Sequence, residues 1–261
     1  MASRNKSRAT GFTLIEVLVA MGILVLIMVM MARIFTDLST TWQTGTQRIA
    51  AASEGRVIMQ FLAREISTAI ADETVNFRVD NNALALYGES SSEIYFLGLA
   101  RWLSSTTGGR RTGVQFAYFV DQMVDRDGKD LPNRYRLVRT RRINEMVDTA
   151  DGRADSAYQN SDWWLTMDTQ PFEVIANNIV GFQVMAYCET AGNFVDDYQS
   201  STRDNRLPLW VDIHLEMLDD VTAEQVAMLW NANNPEAQRI LESNVRRYVM
   251  RVHFPQRLRQ Q

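Results

Sequence analysis

An apolar run from Phe12 to Ala32, broken only by Thr13 and Glu16, constrains this chain more than any other feature. Its length is close to the ~20 residues an α-helix needs to cross a hydrocarbon core of about 30 Å. A short polar leader, Met1–Gly11, precedes it and carries Arg4, Lys6 and Arg8 with no acid. Basic residues ahead of an apolar span predict that the leader stays cytoplasmic and the rest is exported. An ordinary secretory signal has a 7–15-residue apolar core followed by a small-residue cleavage site. This run is longer, and no such site follows it. A plain anchor leaves Glu16 unexplained, because a carboxylate inside a membrane helix costs about 2.5 kcal/mol or more and usually serves a function.

Cleavage between Gly11 and Phe12 would account for that glutamate. Phe12 would then carry a free α-amino group, positive at neutral pH. Glu16 lies four residues on, about one helical turn away. In a helical stack of subunits, the carboxylate of one chain could pair with the amine of its neighbour. Two charges that are each costly to bury would offset one another and set the axial register. The string Gly11-Phe12-Thr13-Leu14-Ile15-Glu16, with the apolar run behind it, resembles the class III signal of type IV prepilins and pseudopilins. The resemblance implies that a prepilin peptidase cuts after Gly11 and N-methylates Phe12. It also implies that Glu16 is the assembly carboxylate. The competing reading is a chance match in an ordinary anchor.

Beyond the apolar run, Ile34, Phe35, Leu38 and Trp42, then Ile58, Phe61, Leu62, Ile66 and Ile70, recur at spacings of three and four. That is helical periodicity. With no proline between Phe12 and Leu131, the pattern predicts one helix from about Leu14 to Ala71. It would be on the order of 85 Å long, with a bend expected near Gly45. Its first part is apolar all round, as a lipid or filament-core segment would be. Its second part is amphipathic and predicted to pack on a sheet. The spacing around Thr44–Ser53 is too irregular for sustained heptads, which disfavours a coiled coil. The expected division is a leader at 1–11, a membrane or filament-core segment at 12–33, an amphipathic segment at 34–72 and a body at 73–261.

Short strands and turns are expected after Asp72: Asn82–Tyr87, Glu93–Leu99, Val114–Val120, Tyr135–Arg141, Ile179–Cys188, Trp210–Met217 and Arg246–Phe254. Residues Val211–Met217 alternate apolar and polar, the pattern of a half-buried antiparallel strand. A long helix packed on antiparallel sheet makes the fold class α+β. Between the last two strands lies an insert with two helical signals. Thr222-x-x-Gln225 reads as a capping box opening a helix over Ala223–Trp230. Asn234-Pro235 reads as the N-cap and first residue of a second helix reaching Glu242. An insert of this length suits either a partner surface or a lid on the sheet edge.

The body is similar to the J-type minor pseudopilin of type II secretion systems, or to the related W-type minor pilin of type IV pili. That similarity rests on Ile175–Tyr187, on Leu207–Leu215 and on Tyr135–Arg139. The J-type resemblance implies a tip-complex subunit that supports export of folded proteins. Its partners would be I- and K-type minor pseudopilins, the major pseudopilin and the prepilin peptidase. It would sit as a single-pass protein in the bacterial inner membrane with a periplasmic body, and enter the pseudopilus on assembly. K-type members typically lack the glutamate, so Glu16 disfavours that assignment. The W-type alternative implies pilus initiation, adhesion or DNA uptake.

Composition supports a structural role. Residues after Gly11 hold 24 Lys and Arg against 31 Asp and Glu, so no nucleic-acid partner is expected. A lone cysteine, Cys188, cannot close an internal disulfide or a Cys-based zinc site. Only two histidines, His214 and His253, are present, and no G-x-S-x-G occurs. No catalytic residue, metal site or cofactor is therefore expected, and the chain reads as a non-enzyme. A membrane-anchored envelope enzyme is the alternative from another class, and it would require a pocket of convergent polar groups. Asp125-Arg-Asp127-Gly128-Lys-Asp130 fails the EF-hand pattern at the sixth and twelfth positions. It reads as a turn, although calcium in some relatives leaves room for one structural ion. Asp196-Asp197 and Asp219-Asp220 read as solvated loop acids. Trp163-Trp164 reads as one core and one edge residue, or an exposed aromatic contact. Arg136, Arg139, Arg141 and Arg142 read as a solvated edge strand.

Overall fold

The computed structural model describes residues 13–71, 75–101, 111–143, 163–167, 169–189, 191–230 and 234–255. Helix α1 runs Leu14–Ile66. By compactness the chain divides into residues 1–51 and 52–261. In the first unit the apolar side chains of α1, from Leu14 to Trp42, are exposed throughout. That stretch is long and apolar enough to cross a membrane.

The second unit opens with the last turns of α1. The helix stops at Ile66, short of the predicted Ala71. Ser67 and Thr68 turn their hydroxyls onto the Arg64 and Glu65 carbonyls at 2.8 and 2.7 Å, satisfying groups the helix leaves open at its end. The chain then enters β1 (Ala69–Ile70), β2 (Arg78–Asp80) and a two-residue hairpin, β3 (Ala85–Leu86) to β4 (Glu89–Ser90). Three long strands follow in β5 (Glu93–Arg101), β6 (Arg111–Val124) and β7 (Asp130–Ile143). After β8 (Phe172–Asn177) and β9 (Ile179–Cys188) come the short β10 (Asn193–Val195) and β11 (Tyr198–Gln199). The chain ends through β12 (Trp210–Met217), helices α2 (Asp220–Leu229) and α3 (Pro235–Asn244), and β13 (Arg246–His253).

Two main antiparallel sheets result, beside the two-stranded β3–β4 hairpin. The larger has the order β11-β2-β5-β6-β7-β8, with β1 also on β5, and the smaller β10-β9-β12-β13. Every pairing is antiparallel. Together with the long helix they make the α+β fold that the sequence predicted. Five of the predicted strands lie within observed ones, and Arg246–Phe254 runs one residue past β13. The Asn82–Tyr87 expectation is corrected. Only Ala85–Leu86 of it is strand, paired with β4; the strand that joins the large sheet is Arg78–Asp80, and the Asp80 carboxylate accepts the Asn82 N–H at 3.0 Å, turning the chain out of that sheet.

Three apolar clusters hold this unit. The main one brings Ile58, Leu62 and Ile66 of α1 against Phe96, Phe116 and Leu137 of the large sheet and Phe182, Ile213 and Leu215 of the small one. The helix also comes close to β13 at Gly55, where any added Cβ would overlap the Tyr248 ring. The second cluster lies on Tyr95 and Ala117 of the large sheet and contains Trp163, Trp164 and Met167. Both tryptophans are buried, which corrects the core-plus-edge expectation. The short 3-10 turn Trp163–Thr166 lays both rings down, 6.3 Å apart and edge to face. The third cluster seats α2 and α3 through Ala223, Val226 and Leu241 on Val180 and Tyr87.

A polar connection joins α1 to the large sheet. Arg139 on β7 donates to Glu65 of α1 at 2.5 Å and to Glu173 of β8. The Tyr118 hydroxyl donates to the other Glu65 oxygen, and the Arg139 guanidinium lies 4.9 Å from the Phe61 ring centre. This corrects the solvated-edge reading, because β7 has β6 on one side and β8 on the other. Burial alone would lower the Arg139 pKa, but Glu173 and Glu65 outweigh it and hold the guanidinium above its ordinary range. Burial, then the Glu65 charge, pushes the Tyr118 phenol well up. The hydrogen bond from Arg139 is the main cause that lowers the Glu173 pKa.

Candidate functional site

The first turn of α1 holds Glu16, the one carboxylate of the apolar run Phe12–Ala32. Glu16 stands at the head of an open apolar strip formed by Val17, Ala20, Met21 and Leu24. Its own chain partners it. The Glu16 carboxylate accepts from the Thr13 backbone N–H at 3.1 Å and from the Thr13 hydroxyl at 3.2 Å. In return the Glu16 N–H donates to Thr13 Oγ1 at 3.3 Å. This reciprocal pair is a capping box, in which Thr13 and Glu16 satisfy backbone groups that open a helix. The Thr-x-x-Glu spacing was present in the sequence but is not part of the assembly reading of Glu16. Negative charge in a first turn also suits the helix dipole. Glu16 is thus held at the N-terminal end of the apolar helix, with no cation against it among the described residues. Gly11 and Phe12, the expected cleavage and methylation positions, lie outside the described residues.

The remaining candidates do not converge. His214 is half-buried on β12 and His253 exposed at the end of β13. Cys188 is buried, with the Arg203 guanidinium donating to its sulfur at 3.2 Å. Among the described residues no three His, Cys, Asp or Glu side chains are placed to hold a metal. The acidic stretch after β6 is a turn, as expected. Asp125 Oδ1 accepts from the Asp127 and Lys129 N–H groups at 2.8 and 2.9 Å, and Gly128 takes φ +79°. Asp196 and Asp197 are exposed.

In the insert, the Asn234 cap of α3 is found as predicted, its side chain accepting from Glu236 N–H at 3.0 Å. The expected Thr222 cap is corrected. Asp219 caps α2, accepting from Thr222 N–H at 3.0 Å and from its hydroxyl at 2.8 Å. The solvated-acid reading is corrected for Asp219 alone, since the Asp220 side chain is 88% exposed. Asp219 is half-buried, and Asp220 accepts from the Asn178 side chain at 2.5 Å.

Residues 6–32 match the family model for the prokaryotic N-terminal methylation motif. The matched stretch contains Gly11, Phe12, Glu16 and the whole apolar run to Ala32. No curated protein and no solved structure matches the chain. The match supports a type IV pilin-like protein, a class that is generally structural rather than enzymatic. A prepilin-type signal and an N-terminal apolar helix suggest anchoring in a membrane. They also imply processing by a prepilin peptidase and pilus-like assembly with other pilins.

Proposed function

We propose that this chain is a minor pseudopilin of the J-type, a non-enzymatic tip subunit of a type II secretion pseudopilus that supports export of folded proteins. Gly11 lies at the bond cut by the prepilin peptidase, Phe12 becomes the N-methylated mature terminus, and Glu16 is the assembly carboxylate. The observation that carries this reading is Glu16 itself, an acid one turn into an exposed apolar helix and inside the matched motif. The capping box gives the carboxylate local partners before assembly. In the filament a neighbour's Phe12 amine replaces them, and two charges neutralise each other in apolar surroundings. The inner membrane holds the helix, the body is periplasmic, and the partners are I- and K-type minor pseudopilins with the major pseudopilin. The body-segment resemblance that favours the J-type is shared with the W-type minor pilin, which remains the second reading.

Mass spectrometry of the N-terminus after membrane extraction tests the processing step. N-methyl-Phe12 is the expected product, and a protein that keeps Met1 through Gly11 refutes it. Crosslinking in cells to I- and K-type partners separates secretion from a pilus.

A further inference from the structure

We infer that the cleft between the β3–β4 hairpin and helix α3 is a docking site for a lysine or arginine side chain carried on an extended segment of another polypeptide. The cleft encloses about 320 Å³, within the range of specific ligand sites. Tyr87 and Trp230 line it, their rings 4.7 Å apart at 87°. The half-buried Leu241 and Val245 supply apolar surface for the stem of a long cationic side chain. Three carboxylates, Glu89, Glu216 and Glu242, stand around it against one guanidinium, Arg247. Arg247 is already engaged, donating to Glu216 at 2.7 Å. Glu89 and Glu242 are exposed and form no ion pair with any described residue.

Aromatic faces and uncompensated carboxylates both favour a cation that brings apolar surface with it. They oppose a phosphate or a nucleic acid, whose charge the rim repels. A smaller hollow of about 50 Å³ shares Leu86, Glu89, Val180 and Glu216 and continues to Gln183 and His214. Two hollows that adjoin at the same residues favour an extended chain over a free small cation. The walls are held under backbone strain. Tyr87, a bulky residue, takes φ +49° at the tip of its two-residue hairpin, and its hydroxyl donates to the carbonyl of Asn133, itself at φ +55°. Such conformations persist only where the surroundings enforce them. The ring is therefore fixed in place beside the cleft before any ligand arrives.

The test uses the full chain in detergent micelles and a fluorescein-labelled acetyl-Ala-Lys-Ala-Lys-Ala-amide peptide, with norleucine and glutamate versions as controls. Anisotropy titration is expected to show binding of the lysine peptide, and at least tenfold weaker binding of both controls. Because both residues are exposed, the double variant E89Q/E242Q is expected to keep its melting temperature while weakening the lysine peptide about fivefold or more. Trp230→Phe should weaken it as well, tryptophan being the better cation-binding face. The inference is overturned if lysine and norleucine peptides bind alike. An E89Q/E242Q affinity unchanged from wild type overturns it too, as does no lysine-peptide binding up to about 1 mM. None of these outcomes bears on the filament-subunit reading, which rests on the N-terminal segment.

Discussion

Replacing Arg139 by methionine removes the cation from the connection between α1 and the large sheet. The side chains of Arg139 and Glu65 are 9% and 21% exposed, so the Glu65 carboxylate would be left largely buried with only the Tyr118 hydroxyl to answer it. Breaking a buried pair from one side costs about 3–5 kcal/mol. Glu65 keeps some solvent and one donor, which places the expected loss near 3 kcal/mol, at the lower end. For a body of this size each kcal/mol moves the midpoint by about 2–4 °C, so Arg139→Met should melt about 6–12 °C below wild type. Glu65→Gln should cost less, because it leaves a neutral group that still hydrogen-bonds. The double variant should recover part of the sum, with a coupling of about 1–3 kcal/mol. Urea unfolding followed by far-UV circular dichroism on the detergent-extracted chain reads all four states. A loss below about 1 kcal/mol for Arg139→Met, the value of a solvent-exposed pair, would refute the reasoning. Strict additivity in the double variant would refute it as well.

Gly55→Ala should destabilise the body by about 1–3 kcal/mol through overpacking on Tyr248, despite alanine's better helix propensity. A smaller residue at Tyr248 should reduce that penalty in a thermal melt. Asp219→Ala should cost about 1 kcal/mol as a lost cap, and Thr222→Ala clearly less. The reverse order in denaturant titration would restore Thr222 as the cap. Thr13→Val removes the hydroxyl from the capping box, and should shorten protection of the first-turn amides in hydrogen exchange without altering the body's melt. The pH dependence follows from three carboxylates held below their ordinary values. The Arg139 hydrogen bond lowers Glu173. At Asp80 and Asp219 burial pushes upward but is outweighed, by Arg78 and by Thr222 respectively. A depressed carboxylate contributes stability that is full above its unfolded value, 3.8 for Asp and 4.5 for Glu. That contribution is lost as pH falls through the folded value. The melting temperature should therefore hold between roughly pH 5 and 8 and drop below about pH 4, and a rise on acidification would contradict the assignment.

Pattern-bearing features were legible in the sequence. The apolar run, the three-four spacing of Ile58, Leu62 and Ile66, the alternation in β12 and the Asn234-Pro235 start of α3 all depend on local periodicity or local chemistry, and all are found. The failures share one cause, competition between two local options that tertiary context decides. Two Thr-x-x-Glu or Gln strings stand where a helix begins, Thr13–Glu16 and Thr222–Gln225. At Thr222 the string was read as a cap, but Asp219 lies three residues earlier and a carboxylate there outcompetes the hydroxyl. At Thr13 the same spacing does form the box, with the glutamate to which the proposed function gives the assembly role. The arginines of β7 look like a solvated edge because no sequence rule shows that β8 will pair alongside, or that Glu65 lies opposite across the helix packing. Strand β8 escaped because Phe172, Val174 and their neighbours stay largely exposed, so no burial pattern marks them. The acidic, aromatic-lined cleft draws on β3, β4, β9, β12, α3, β13 and Trp230 after α2, and no stretch of sequence contains it.

The bare backbone of Gly55 meets a tyrosine from the final strand, near the opposite end of the polypeptide. On the function proposed above, a body exported behind its membrane helix exposes this face of the helix until Tyr248 has crossed. Its seat is complete only when the last strand has emerged. If that function holds, a chain truncated before Tyr248 would keep the matched N-terminal motif and the apolar helix, yet offer a neighbour a stem whose inner surface was never closed.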